Sequence, residues 1–301
     1  MPTTCKWLLC ISLVLVLDDD GRTEGAFRCA AKLVQGVPGV TGGATGTRGT
    51  VAIFARFNDG GGPVVAPSWA QELFDQAGML RELVKWDYEL RVPEEVNAVI
   101  DRALTISQSD IPGAVYLSIP REVLAAPATP SSAPRRAAPT GIAYPDPKQI
   151  EQAATILMAA QNPLIITSDV GKSVAAAESL AELADEYAIP VITHVPRYLC
   201  LGNDHPMHLD YEASPHLAQA DAVLVLDCDV PWIPATDPVH PDAKVIHLAQ
   251  DPLFSRYPIR SFPAVLSIAA DPSAALQQLN KAMAGTESSL IKARRSRVAD
   301  A

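Results

Sequence analysis

Between Asn162 and Asp271, short apolar runs alternate with amphipathic stretches, an arrangement that few folds accommodate. Pro163 to Thr167 (PLIIT), Ile189 to Thr193 (IPVIT), Ala222 to Leu226 (AVLVL) and Lys244 to Leu248 (KVIHL) each have the length of a strand. Their near-continuous β-branched and leucine content suits strands covered on both faces, so they predict a parallel sheet buried between helices. The intervening segments read as helices. Ser173 is placed to cap one whose apolar positions Val174, Ala177, Leu180, Ala181 and Ala184 recur at spacings of three and four. Ser214 before Pro215 and Asp271 before Pro272 each read as an N-cap followed by proline at the first helical position, where a missing N–H is harmless. The second of these runs through Ala275, Leu276, Leu279 and Met283 to a stop at Gly285. A helix over Lys148 to Gln161, with Ile150, Ala153, Ala154, Leu157 and Met158 on one face, leads into the first strand. The βαβα order defines the α/β class, with an open, doubly wound parallel sheet over residues 148–285.

A smaller α/β unit is expected over residues 68–123. Ser68 and Gln71 make a capping box that opens a helix with Trp69, Leu73 and Phe74. Glu82 to Leu90 alternates, with Val84, Trp86, Tyr88 and Leu90 on one face. Pro93, Glu94 and Glu95 start a helix striped by Val96, Val99, Ile100, Ala103 and Leu104, and Ala114 to Ile119 is a strand ended by Pro120. Residues 124–147 carry six prolines, at 127, 130, 134, 139, 145 and 147, which predicts an extended spacer and a domain boundary. Residues 1–67 hold eleven of the 17 glycines. Their brief three-residue spacing at Gly36, Gly39 and Gly42 is too short for collagen, and no Gly-x-x-x-x-Gly-Lys-Ser/Thr occurs. Gly36 to Gly62 therefore reads as a loop or a poorly ordered stretch.

Charge and cysteines bound the function. A formal net charge of −10, with no basic cluster before the last dozen residues, argues against a nucleic-acid partner. Lys292, Arg294, Arg295 and Arg297 read as part of a solvated, frayed tail over 286–301. Cys5, Cys10, Cys29, Cys200 and Cys228 are odd in number and form no CxxC pair, which predicts free thiols in a reducing, cytoplasmic compartment. Trp7 to Leu17 has the length of a signal-peptide core, but Asp18, Asp19 and Asp20 follow where small residues belong, and it is too short to span a bilayer. It reads as a strand, and no membrane partner is expected.

The segments WAQELFDQAGMLRELVKWDYELRVPEEVNAVIDRAL, GAVYLSIPREVL, NPLIITSDVGKS and ADAVLVLDCDVPWIP, in that order and with the proline-rich spacer before the third, resemble the thiamine-diphosphate-dependent enzymes of the acetolactate synthase type. The likeness runs from Ser68 to Gly285. It implies the end of a pyrimidine-binding domain followed by a Rossmann-like central domain, within a homo-oligomer that decarboxylates a 2-oxo acid such as pyruvate and ligates the product. It also implies thiamine diphosphate and Mg²⁺ as cofactors. The family's Gly-Asp-Gly motif, which helps to hold the metal and the diphosphate, occurs nowhere in these 301 residues. The expectation is therefore a partial, truncated family member that is inactive alone.

The resemblance also nominates residues. Glu24, in Thr23-Glu24-Gly25-Ala26, superficially resembles the setting of the family's activating glutamate, although Gly21-Arg22-Thr23 resembles a later strand end equally well. Gln71 matches the glutamine of a Phe-Gln-Glu segment. Lys85 matches the lysine of a Thr-Lys-His-Asn segment, here Val84-Lys85-Trp86-Asp87. The plainer roles are a helix cap for Gln71 and a solvent-facing strand position for Lys85. Asp169, Gly171, Lys172 and Ser173 follow the first strand of the central sheet and open a helix, where backbone N–H groups favour an anion. Asp227, Asp229 and Trp232 end the Ala222 strand at the sheet edge where ligands bind in open α/β folds. In relatives this domain holds flavin adenine dinucleotide, another nucleotide, or nothing, so a nucleotide-binding or oligomerisation module is the alternative function. His205 and His208, flanked by Asp204 and Asp210, read as a hydrogen-bonded loop; no metal site is expected.

Overall fold

The computed structural model describes residues 12–15, 51–56, 75, 77–109, 111–120, 123 and 140–299. The chain divides between Thr140 and Gly141 into two compact units. Glu24, Gln71, the helix expected from Ser68, and residues 124–139 of the proline-rich spacer lie outside the described residues.

The first unit holds strands β1 (Ser12–Leu15), β2 (Val51–Arg56), β3 (Trp86–Glu89) and β4 (Val115–Pro120), and helix α1 (Val96–Gln108). The sheet order is β1-β2-β4-β3; β1 runs antiparallel to β2, and the other two pairs are parallel. Two expectations change. Val51–Arg56 lies within the stretch read as a loop, yet its Val, Ile and Phe content has the strand propensity that the glycines around it obscured. The boundary expected after residue 67 also falls, because β2 on one side of it pairs with β4 on the other. Of the alternating run from Glu82, only Trp86–Glu89 is strand, since Leu80 and Arg81 close a turn on the Ala77 carbonyl and Leu83 and Val84 close the next on that of Leu80. Ile100 and Ala103 of α1 bury against Val115, Leu117 and Ile119 of β4.

The second unit is a six-stranded, all-parallel sheet in the order β10-β9-β8-β5-β6-β7. Its strands are β5 (Pro163–Thr167), β6 (Val191–Thr193), β7 (His208–Asp210), β8 (Ala222–Leu226), β9 (Lys244–Ala249) and β10 (Leu266–Ala269). Its helices are α2 (Pro147–Ala159), α3 (Val174–Tyr187), the single-turn α4 (Ser214–Leu217), α5 (Pro272–Ala282) and α6 (Ser288–Ala299). Alternation within the strands splits the core into two layers. Ile165, Leu224, Leu226, Ile246 and Leu248 meet the apolar stripes of α2, α3 and α5 on one face. Leu164, Ile166, Val223, Val225 and Val245 meet Leu217, Trp232 and Phe262 on the other, so among the described residues loops and one helical turn, not long helices, pack on that second face.

Local chemistry sets the ends of these elements. Ser173 and Asp271 accept the backbone N–H groups of Ala176 and Ala274, and Asp146 accepts that of Lys148 with Pro147 as the first helical residue. Ser214 instead lies inside α4, behind Ala213, and its side chain makes no cap. The loop expected at Asn203 to Asp210 ends in strand, because His208–Asp210 adds to the edge beside β6. The frayed tail is also corrected. Residues 288–299 form α6, and Arg294 within it is 1% exposed. Its guanidinium donates to the carbonyls of Leu157 and Ala160 at the end of α2 and of Tyr187 at the end of α3, at 2.7, 2.6 and 3.2 Å. These are the carbonyls a helix leaves unpaired at its C-terminus, so the buried cation, with Ile291 and Val298 packed against the core, seats α6.

Candidate functional site

From β5 the chain winds outward through β6 to β7, then returns to place β8 on the other side of β5. That reversal makes the carboxyl ends of β5 and β8 the switch point of the sheet, the position where open α/β sheets receive ligands in a crevice. The segments that leave these two strands carry most of the nominated residues, and Asp169 N–H donates to the carbonyl of Asp227 across the reversal, at 3.1 Å.

Two ion-paired groups occupy this edge. Lys172 Nζ lies 2.5 Å from Asp227 Oδ2, with the Asp227 side chain 7% exposed. Asp227 has φ 47°, a left-handed conformation uncommon for a non-glycine residue, and its N–H donates to the carbonyl of Leu248. Arg197, from the loop after β6, spans two carboxylates: its Nε is 2.8 Å from Asp169 Oδ1 and its Nη2 is 2.9 Å from Asp229 Oδ2. Tyr257, from the loop after β9, donates its hydroxyl to the same Asp229 oxygen at 2.7 Å.

The two carboxylates on Arg197 diverge. Burial raises the Asp169 carboxyl above its ordinary range, with Arg197 pulling against it and Asp227 repelling it. At Asp229 burial also pushes upward, but hydrogen bonds from Tyr257, Arg197 and the Val230 N–H hold it below the ordinary range. Arg260 binds the floor of this edge. It donates to the carbonyls of Asp229, Cys228 and Pro252 at 2.8, 3.2 and 3.2 Å, and its guanidinium lies over the rings of Phe254 and Phe262. Its Nη1 also meets His247 Nδ1 at 3.1 Å. Arginine has no lone pair to give, so Nδ1 accepts and His247 is the neutral Nε2–H tautomer.

The nominated residues therefore sort by what they touch. Asp169, Lys172, Asp227 and Asp229 come together in the crevice. Ser173 is used as the cap of α3. Gly171 packs against backbone: a Cβ there would lie 2.2 Å from the carbonyl oxygen of Leu199, which explains the glycine without a ligand. Trp232 is 4% exposed and stacks edge-on with Phe262 in the core. Lys85, in the first unit, donates its ammonium to the carbonyl of Ser109. His205 Nδ1 accepts from Met207 N–H, and His208 Nε2 lies 2.9 Å from Thr193 Oγ1. Arg197, Tyr257 and Arg260 were not foreseen. Their partners at Asp169, Cys228 and Asp229 stand 28 to 32 residues away, and no periodic signal spans that distance.

Two cysteines, Cys200 and Cys228, are free and buried, and burial pushes the Cys228 thiol up to about 12 beside Ser168 Oγ at 3.0 Å. Among the described residues, no group of three His, Cys, Asp or Glu is gathered to hold a metal ion, and no helix is long and apolar enough to cross a membrane.

The sheet and its edge define a Rossmann-like α/β domain with a charged switch-point crevice. Residues 150–279 match the family model described as thiamine pyrophosphate enzyme, central domain, so this unit is similar to the central domain of the thiamine-diphosphate-dependent enzymes. Acetolactate synthase of Mycobacterium bovis is 29% identical over 189 residues, covering 59% of this chain and 31% of the relative. Oxalyl-CoA decarboxylase of Escherichia coli is 28% identical over 166 residues, covering 54% and 29%. The chain thus spans about a third of the length of these curated relatives. The crystal structure of benzoylformate decarboxylase from Polynucleobacter necessarius superposes with a TM-score of 0.59 at 23% identity over 71% of this chain and 42% of that one, a likeness of fold alone.

Proposed function

We propose that residues 141–299 act as the central domain of an acetolactate synthase-like enzyme that works on a 2-oxo acid, and that this domain supports catalysis without performing it. The match over residues 150–279, laid on the six-stranded sheet, carries this reading. The cofactor, when bound in such enzymes, supplies the carbanion chemistry and the protein positions it. The described residues do not fit its Mg²⁺–diphosphate end: they gather no metal-binding group, and Gly-Asp-Gly is absent from the sequence. Lys85, the described residue that the resemblance linked to catalysis, donates to a backbone carbonyl. No step through thiamine diphosphate is therefore assigned to them, and the 301-residue chain is inactive by itself in a reducing, cytoplasmic compartment. It assembles with further copies through these domains. Isothermal titration of the purified chain with thiamine diphosphate and Mg²⁺, followed by an acetolactate assay with pyruvate, tests the inactivity; no heat and no product are expected, and product formation overturns it. Sedimentation at micromolar concentration tests assembly, which a monomer overturns.

A second reading is favoured by the cations at the switch point. A flavin or adenine nucleotide would bring its phosphates to Arg197 and Lys172. Both cations are already paired, with Asp169, Asp229 and Asp227, so a phosphate must displace carboxylates to bind. Equilibrium dialysis against FAD and ADP decides it: retention that Arg197→Ala removes supports the nucleotide, and no retention ends the idea.

A further inference from the structure

A second cavity lies at the opposite, amino edge of the same sheet, far from any residue nominated above. Its volume is about 100 Å³, and its walls include Leu164, Leu209 and Val298 together with the polar side chains of Asn162, Arg294 and Arg297. Apolar walls with cations among them are unsuited to plain solvent and suited to a small amphiphile with a negative end.

The polar groups are not all satisfied from within. Arg294 is almost wholly buried, and its two terminal nitrogens are engaged by backbone carbonyls, but its Nε–H has no acceptor. Among the described residues no carboxylate touches Arg294; its direct partners are the carbonyl ends of two helices, and the nearby Asp221 carboxylate, held by the N–H groups of Gln161 and Asn162, acts on it only through space. Arg297 gives Nη1 to the carbonyl of Gln161 at 2.6 Å and keeps further donors. Asn162 Oδ1 is buried without a partner, although its backbone N–H is held by Asp221. Turning that amide over exchanges an orphan acceptor for N–H donors. His216 also lines the cavity, with Asp210 Oδ2 3.7 Å from its Nε2.

We propose that this cavity binds a short-chain carboxylate. Its two oxygens accept from the Arg294 Nε–H and from the Arg297 guanidinium, and its alkyl end lies along Leu164, Leu209 and Val298. Such a ligand supplies the missing acceptor and neutralises a buried cation in one contact, and planar guanidinium groups recognise carboxylates particularly well. Bound there, it would bridge α6 to the start of β5 and so couple ligand binding to the docking of the last helix.

Isothermal titration of the full chain at neutral pH with sodium butyrate, sodium acetate and sodium chloride at matched ionic strength tests the site. Saturable heat is expected with butyrate, binding about tenfold tighter than acetate because two more methylenes are buried, and none with chloride. Arg294→Met removes a structural bond set and risks unfolding. Arg297→Gln is therefore the informative variant: its side chain is exposed, circular dichroism checks its fold, and butyrate affinity is expected to fall about tenfold. No saturable heat, equal heat with chloride, or butyrate binding unchanged in Arg297→Gln would each overturn the proposal and leave the cavity to water.

Discussion

Arg197 and Arg294 stand at opposite edges of one parallel sheet and are held in opposite ways. The first is 49% exposed at its side chain and joins two carboxylates; the second is buried and joins the carbonyl ends of two helices. Exposed pairs gain little because water competes for both partners, whereas a buried guanidinium has surrendered its hydration and depends on each bond it makes. The Arg197 pairs are therefore free to rearrange, whereas the Arg294 bonds are fixed in the packing of two helices.

The sharpest way to break the contrast is Arg294→Met. Leaving the carbonyls of Leu157, Ala160 and Tyr187 without their donor is expected to cost about 4 kcal/mol, read as a lower urea midpoint. Next is acid. Burial, aided by Arg260, depresses the His247 pKa from 6.5 to about 4. Between these two values the unfolded chain binds more protons than the folded one, so stability falls as pH drops through the window and levels off below it. The fall reaches up to about 3 kcal/mol, and urea titrations across pH should show it flattened in His247→Gln. Gly171→Ala comes third: the new methyl meets the Leu199 backbone, so a loss of about 2 kcal/mol in thermal unfolding is expected. Smallest is Arg197→Ala, expected to cost less than about 1 kcal/mol and to lose even that in high salt. An Arg197 effect as large as that of Arg294 would erase the distinction between the edges.

What could be read beforehand follows the range of the interaction. The apolar runs of β5 and β8 match their strands residue for residue, because burial on both faces writes itself into consecutive positions. Ser173 and Asp271 were legible as caps because a cap and its helix are adjacent. Asp146 with Pro147 carries the same signal as Asp271 with Pro272, yet it was concealed within a proline-rich stretch. Helix α6 has only Ile291 and Val298 against the core, too few to form a readable stripe, and its Arg294 is held by carbonyls 107 to 137 residues away. The crevice was half legible. Topology rules pointed to Asp169, Asp227 and Asp229, but the arginine and tyrosine that hold them come from other loops, and only the folded sheet brings them in.

The border strands of the larger sheet have a consequence for how copies could meet. On one side β7 is three residues long, with a register irregularity at Val191 and Ile192, and on the other the carbonyl of Ser267 in β10 takes a hydrogen bond from Gln149 at 3.3 Å. Neither border offers the long, straight row of free backbone groups that strand addition requires. Extending the sheet from copy to copy, the route to fibres, is thereby discouraged, and association through helix or loop surfaces is the path left open.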